Sequence, residues 1–215
     1  MEPKRTSAIF DITVPLDAAS LVTWPGDPPF RLDAVSTLDD EGCLVSQLSM
    51  SAHAGTHLDF PSHVMAGGKG AGDYAASDFV LPAVVVDVPH GADAVTHDHV
   101  LGANLLPGDA VLFRTRNSAE GACRSGRWSA RYVALTPEAA RACVGAELRL
   151  AGIDAQSVDR PDDDLPVHRI LLANGILVLE GLDLSDVPPG RYTLTCLPLR
   201  IPGCEASPVR AVLAG

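Results

Sequence analysis

The sequence predicts a mixed α/β domain with more strand than helix. Short apolar segments recur between Gly and Pro punctuation, several of them alternate with a period of two while others run continuously, and few stretches carry helix start and stop signals.

In chain order, Ile9 to Val14 and Leu44 to Met50 alternate apolar and polar residues and read as half-buried strands. Ala83-Val-Val-Val-Asp-Val88, Ala110-Val-Leu-Phe113, Leu148-Arg-Leu-Ala-Gly-Ile153 and Ile176-Leu-Val-Leu179 are continuous, as expected of strands covered on both faces. Tyr192 to Leu197 alternates again. Between them lie two helical segments. Thr136 to Val144 has Thr136 as N-cap and Pro137 in its first turn, and Asp163 to Ala173 has acidic residues before Pro166 and Asn174-Gly175 after its end. No repeat, low-complexity stretch or linker interrupts the chain, so residues 1–215 read as one domain.

Hydrophobic residues make up 47% of the chain, enough for a sizeable core without staples. The net charge is −11, from 27 acidic and 16 basic residues, with no dense Lys/Arg window, which argues against nucleic acid as a partner. The spread of acidic residues reads as solubilising charge. Five cysteines, an odd number without Cys-x-x-Cys spacing, read as buried free thiols in a reducing compartment. The first residues, Met-Glu-Pro-Lys-Arg-Thr-Ser-Ala, lack the apolar stretch of a secretory signal, and no run is long enough for a membrane span. A cytoplasmic protein with no membrane partner is expected.

Chemistry concentrates in His53-Ala-Gly-Thr-His-Leu-Asp-Phe-Pro-Ser-His63. On a helix His53 and His57 would share a face and Asp59 would not, whereas in an extended chain all three odd positions face one way. Two imidazoles and a carboxylate on one side suit Zn²⁺ or Mn²⁺ and leave coordination positions open. Gly55, on the same side, would let a metal or substrate approach the backbone. Pro61 stops regular strand pairing, which frees His63 for acid/base work beside the metal. His90, His97 and His99 sit in a polar, turn-like stretch and read as solvated loop. Downstream, His168 falls in the second helical segment and Glu180 ends an apolar strand, where open α/β sheets place functional groups; from spacing alone either can equally be an ordinary surface charge. Trp24-Pro-Gly-Asp-Pro-Pro29 is a rigid turn whose indole serves either the core or a wall for an aromatic substrate.

The segment from His53 to His63 resembles the H-x-G-T-H-x-D-x-P-x-H signature of the cyclase-like metal hydrolases, whose members include bacterial kynurenine formamidases. The resemblance extends through Phe10-Asp-Ile-Thr, Trp24-Pro-Gly-Asp-Pro28, Gly152 to Asp159, Leu179-Glu-Gly-Leu182 and Ala206 to Leu213. It implies a single domain with a central mixed, barrel-like β-sheet flanked by a few helices, assembled as a homodimer or homotetramer. It also implies that His53, His57 and Asp59 bind a divalent metal, that Asp59 bridges two ions per subunit, and that His168 and Glu180 complete the second position. His63 becomes the acid/base and Trp24 the residue against a small aromatic amide.

The activity implied is arylformamidase hydrolysis of N-formyl-kynurenine to kynurenine and formate, in tryptophan degradation, by metal-activated water. The alternatives are a cyclic-amide hydrolase of the isatin type and, from another class, a non-catalytic metal- or small-molecule-binding protein of this fold. Residues 67–76 are a candidate pocket lip with no diagnostic match.

Overall fold

A computed structural model describes residues 8–215, so the leader-free reading of residues 1–7 lies outside the described chain. Its strands are β1 (Ile9–Asp11), β2 (Arg31–Ser36), β3 (Val45–Ser49), β4 (His57–Asp59), β5 (Val80–Asp87), β6 (Ala94–Val95), β7 (Ala110–Arg114), β8 (Ala134–Leu135), β9 (Leu150–Ile153), β10 (Leu177–Glu180), β11 (Gly190–Pro198) and β12 (Ala206–Ala214). The helices are α1 (Leu38–Glu41), α2 (His97–Leu101), α3 (Arg116–Glu120), α4 (Pro137–Gly145) and α5 (Pro166–Ala173).

The main sheet runs β1-β12-β11-β5-β7-β9-β10-β4, and a further pairing of β12 with β4 closes seven of its strands into a barrel. Closure works because β12 is long enough to serve two neighbours on one edge: Ala206–Pro208 pair with β4, and Val212–Ala214 pair with β1. Neighbours β5, β7, β9 and β10 are parallel, while β4, β12 and β11 join antiparallel, which makes the barrel mixed as expected.

Alternation along each strand divides the apolar residues between two cores. Ala110 and Leu112 of β7, Leu58 of β4 and Leu177 and Leu179 of β10 point into the barrel, where they meet Phe60, Leu150, Leu194 and Leu213. Val111 and Phe113, Ala151 and Ile153, and Val178 point outward into a second core under α4 and α5, with Ala139, Cys143, Val167 and Leu171. Strands β7, β9 and β10 are therefore buried on both faces, as their continuous apolar runs imply. Strand β5 is not: its outward positions Val84 and Val86 are only partly covered, so its run is an alternating one in burial.

Several other expectations change. The strand at Ile9 ends at Asp11, although Ile12 and Val14 remain buried. Strand β3 is exposed along its whole length instead of half-buried; with β2 it forms a two-stranded arm. His97 and His99 lie in the short helix α2, and His99 Nδ1 accepts from the backbone N–H of Thr96 at 2.9 Å, so it caps a helix and is not a loop residue. Helix α5 begins at Pro166, later than Asp163, because its free N–H groups find a more distant carboxylate.

Leu58 is fully buried in the barrel between two strands that carry site residues. Truncation of Leu58 to Ala should lower unfolding free energy by about 2–5 kcal/mol, the usual cost of a large buried aliphatic. Urea denaturation checks this; a loss below about 1 kcal/mol would mean the barrel interior collapses around the gap.

Candidate metal centre and its cavity

The antiparallel register of β4 on β10 sets Leu58 opposite Leu179 in the barrel interior. The same register places His57 opposite Glu180 and Asp59 opposite Val178 on the outer face. Helix α5 covers that face with Val167, His168, Leu171 and Leu172, so His168 is delivered to the carboxylates by an ordinary amphipathic helix. His53 and His63 come from the flanking turns. His53 lies in a turn between β3 and β4, and Pro61 opens a single 3-10 turn that ends on His63, whose N–H donates to Phe60 O at 2.9 Å.

All five expected ligands and His63 converge. Asp59 Oδ1 stands 2.9 Å from His53 Nδ1 and 3.5 Å from His57 Nε2. Asp59 Oδ2 stands 3.2 Å from His168 Nε2, which is also 3.2 Å from Glu180 Oε1, and Glu180 Oε2 is 3.4 Å from His57 Nε2. Two three-residue groups, His53–His57–Asp59 and Asp59–His168–Glu180, therefore share Asp59. The His63 ring lies 4.5 Å from that of His53 and 5.4 Å from that of His168, centroid to centroid.

The residues fit a cation. His57 Nε2 and Asp59 Oδ1 are buried, and although ligand atoms stand 2.9–3.5 Å from them, none does so in hydrogen-bond geometry among the described residues, a costly state for polar atoms unless something binds them. Nitrogen and carboxylate donors together match borderline divalent ions. Among the protein groups alone, burial opposes the charge on His57, but the adjacent Asp59 and Glu180 carboxylates override it and lift the imidazole to about 9. Burial likewise opposes ionisation of Asp59, and the surrounding imidazoles hold it well below the usual carboxylate range. His63 behaves differently: burial, with the neighbouring His53 and His168, outweighs the carboxylates and pushes its pKa down, favouring the neutral ring.

Supporting contacts fix the donors. His57 Nδ1 lies 3.0 Å from Gly55 O, which leaves Nε2 for the centre. Glu180 Oε1 accepts the Val158 N–H at 2.6 Å. Thr56 Oγ1 donates to Gly181 O at 2.6 Å and accepts from Val14 N–H at 2.9 Å, tying the His57 strand to the turn after Glu180. That turn needs glycine: Gly181 has φ +69°, and a Cβ there would sit 2.2 Å from Gly55 O. Gly55 departs from expectation. Its φ is +66° and its missing Cβ faces Leu16, Leu21 and Val14, so glycine is required by a tight turn against apolar side chains, while the residue also lines the cavity over the centre.

Asp159 was not singled out from the sequence as a site residue. Fully buried, it accepts the backbone N–H of Val167 at 2.8 Å and of His168 at 3.0 Å, capping α5, and its Oδ2 accepts from His168 Nδ1 at 2.7 Å. This holds the proton on Nδ1 and turns Nε2 to the centre. Glu205, 3.7 Å from His53 Nε2, lies outside His53 in the same sense. An acidic residue several positions before a helix-opening Pro is the signal that finds Asp159. The acidic run itself is exposed, with Asp164 paired to Arg169.

The centre forms the floor of a cavity of about 230 Å³. Val22, Trp24, Cys123 and Leu165 give apolar walls, and Asp27, Gln156 and Ser157 give polar ones. Trp24 lines the cavity, packs edge-on against Trp128 with centroids 6.0 Å apart, and is partly buried against the outer core. Residues 67–76 do not line the cavity; Gly70 and Ala71 pack on the turn near Cys204, with Ala71 N–H donating to Cys204 O at 2.8 Å.

Asp159→Asn keeps a helix-capping oxygen but alters the His168 Nδ1 contact. Divalent-ion affinity should weaken roughly 10–100-fold, the usual cost of losing a carboxylate behind a ligating histidine. Competition against a chromophoric chelator reads this, and unchanged affinity would make Asp159 a helix cap only.

A family model described as a putative cyclase matches residues 10–160. A kynurenine formamidase of Salinibacter ruber is 40% identical over 96% of this chain and 97% of its own. Those of Sphingopyxis alaskensis and Bacillus cereus are 37% and 34% identical over at least 96% of each chain. Among solved structures, a potential metal-dependent hydrolase with cyclase activity superposes with a TM-score of 0.83 at 30% identity, covering 97% of this chain and 98% of the other. Isatin hydrolase A of Labrenzia aggregata gives 0.82 at 25% identity, covering 97% and 93%. With its donor set, barrel and full-length similarity to these proteins, the chain belongs to the cyclase family.

Proposed function

We propose that the protein is a metal-dependent arylformamidase that hydrolyses N-formyl-kynurenine to kynurenine and formate. The observation that carries this reading is the shared-carboxylate donor cluster at the floor of a cavity walled by Trp24. The kynurenine formamidases, similar along nearly their whole length, supply the substrate class.

In this reading His53, His57 and Asp59 would hold one divalent cation, and Asp59, His168 and Glu180 would hold a second, Zn²⁺ or Mn²⁺ by donor type. The chemistry supplied at these residues by a bound divalent cation would be Lewis-acid polarisation of a carbonyl oxygen and a lowering of the pKa of water towards about 7. His63 is the proton carrier. Half-buried beside both ligand groups, with its pKa pushed down, it accepts the proton of the attacking water. The same proton then goes to the aryl amine nitrogen as the C–N bond breaks, so water is added across that bond and formate and amine leave. Trp24 offers an apolar face to the aryl ring, and Trp128 braces it.

All five cysteines are free, but contrary to the expectation of buried thiols Cys43 is exposed and Cys204 only partly covered, while Cys123, Cys143 and Cys196 are buried; no helix of the described residues is long and apolar enough to cross a membrane. The free thiols support a cytoplasmic setting.

His63→Ala should lower kcat on N-formyl-kynurenine by roughly 10²–10⁴-fold, the range of lost acid/base help. Elemental analysis should show the bound ion retained. Ion lost together with activity would make His63 a ligand. Isatin turned over in place of N-formyl-kynurenine by the unaltered enzyme would move the substrate class to cyclic amides.

A further inference from the structure

The cavity wall carries polar groups that the donor cluster does not use. They are Asp27, Gln156 and Ser157, and what they present is acceptors and a negative charge. Gln156 commits its Nε2–H to Ala122 O, since the opposite amide orientation would set two oxygens against each other, and its Oε1 is a buried acceptor with no partner among the described residues. Ser157 Oγ accepts the Asp159 N–H at 3.1 Å. Asp27 is half-buried, and its Oδ2 accepts from Ser51 Oγ at 2.9 Å. Ser51 Oγ in turn accepts the His53 N–H at 3.2 Å, so the carboxylate is fixed beside the turn that carries a ligand. No Lys or Arg of the described residues lines the cavity. A carboxylate held in a partly enclosed space without a cation is unfavourable unless the ligand brings one.

We propose that Asp27 is the specificity residue for the amino-acid end of the substrate and accepts the α-ammonium of N-formyl-kynurenine while the formamide lies over the centre. This rests on the formamidase reading, which supplies a substrate with both an ammonium and a carboxylate on the chain attached to its aryl ring. Only the ammonium has a counterpart in the wall. The α-carboxylate meets like charge at Asp27 and no cationic side chain, so it turns to the mouth of the cavity. One tight turn carries both recognitions: Asp27 N–H donates to Trp24 O at 3.0 Å, which keeps the carboxylate beside the indole that faces the aryl ring. Asp27 takes no part in bond breaking. Its contribution is binding common to ground and transition states, which is read in KM more than in kcat.

Three substrates of the unaltered enzyme test this: N-formyl-kynurenine, its analogue with hydrogen in place of the α-amino group, and its analogue with hydrogen in place of the α-carboxylate. Loss of the amino group should cut kcat/KM about 10–100-fold, the range for a hydrogen bond to a charged group, mainly through KM. Loss of the carboxylate should change it by less than about threefold. Asp27→Asn, which keeps an oxygen for Ser51, should erase the preference and bring the amino and desamino substrates within about threefold of each other. A carboxylate that only steadied the His53 turn would affect both substrates alike, so an unchanged ratio in Asp27→Asn overturns the proposal. Equal turnover of the desamino analogue by the unaltered enzyme also overturns it and leaves the formamidase reading standing, whereas hydrolysis of none of the three overturns both. The analogue comparison needs no variant, so it decides the matter even where Asp27→Asn fails to fold.

Discussion

The antiparallel register between His57–Asp59 and Leu177–Glu180 is the constraint on which the site depends. It places His57 opposite Glu180 on the outer face and seals Leu58 and Leu179 into the barrel. A slip of β4 by one residue would turn His57 and Asp59 into the apolar interior and bring Leu58 to the centre. The register is protected from both sides, because β12 pairs with the other edge of β4 and the Thr56 hydroxyl locks the preceding turn to Gly181 O. The apolar barrel core and the polar centre are thus two faces of one strand pair.

Concentrating four imidazoles and two carboxylates in a buried place is unfavourable unless their charges balance. The protein supplies part of that balance by fixing roles. Asp159 holds the Nδ1 proton of His168 and Gly55 O stands by Nδ1 of His57, so both Nε2 atoms face inward. What protein groups alone do not satisfy, His57 Nε2 and Asp59 Oδ1, lies in the His53–His57–Asp59 ligand group. His63 is set apart from this balance: it follows Pro61, lies on a separate turn, and is the imidazole of the cluster whose pKa burial pushes down.

Much of this was legible in the residues. The parity of His57 and Asp59 identified their common face, and Pro61 identified the break before His63. Continuous apolar runs correctly marked β7, β9 and β10 as buried on both sides. Other features depend on tertiary context. His53 reaches Asp59 from a turn, not from an extended strand, and Gly55 serves that turn's left-handed conformation. The link from Asp159 to His168 spans a loop and a helix cap, and Trp128 meets Trp24 only in the folded chain. Leu44 to Met50 has the alternation of a half-buried strand but lies on an uncovered arm, because alternation reports that a face is to be buried without saying by what.

The central claim is that the shared-carboxylate cluster is a divalent-ion centre and that formamide hydrolysis depends on it. The most direct measurement strips the purified protein with a chelator, returns Zn²⁺ or Mn²⁺ in known steps, and follows bound ion by elemental analysis alongside hydrolysis of N-formyl-kynurenine. The account predicts that turnover disappears with the ion and returns in proportion to its reloading. Undiminished hydrolysis by protein that elemental analysis shows to be free of divalent ions would contradict it.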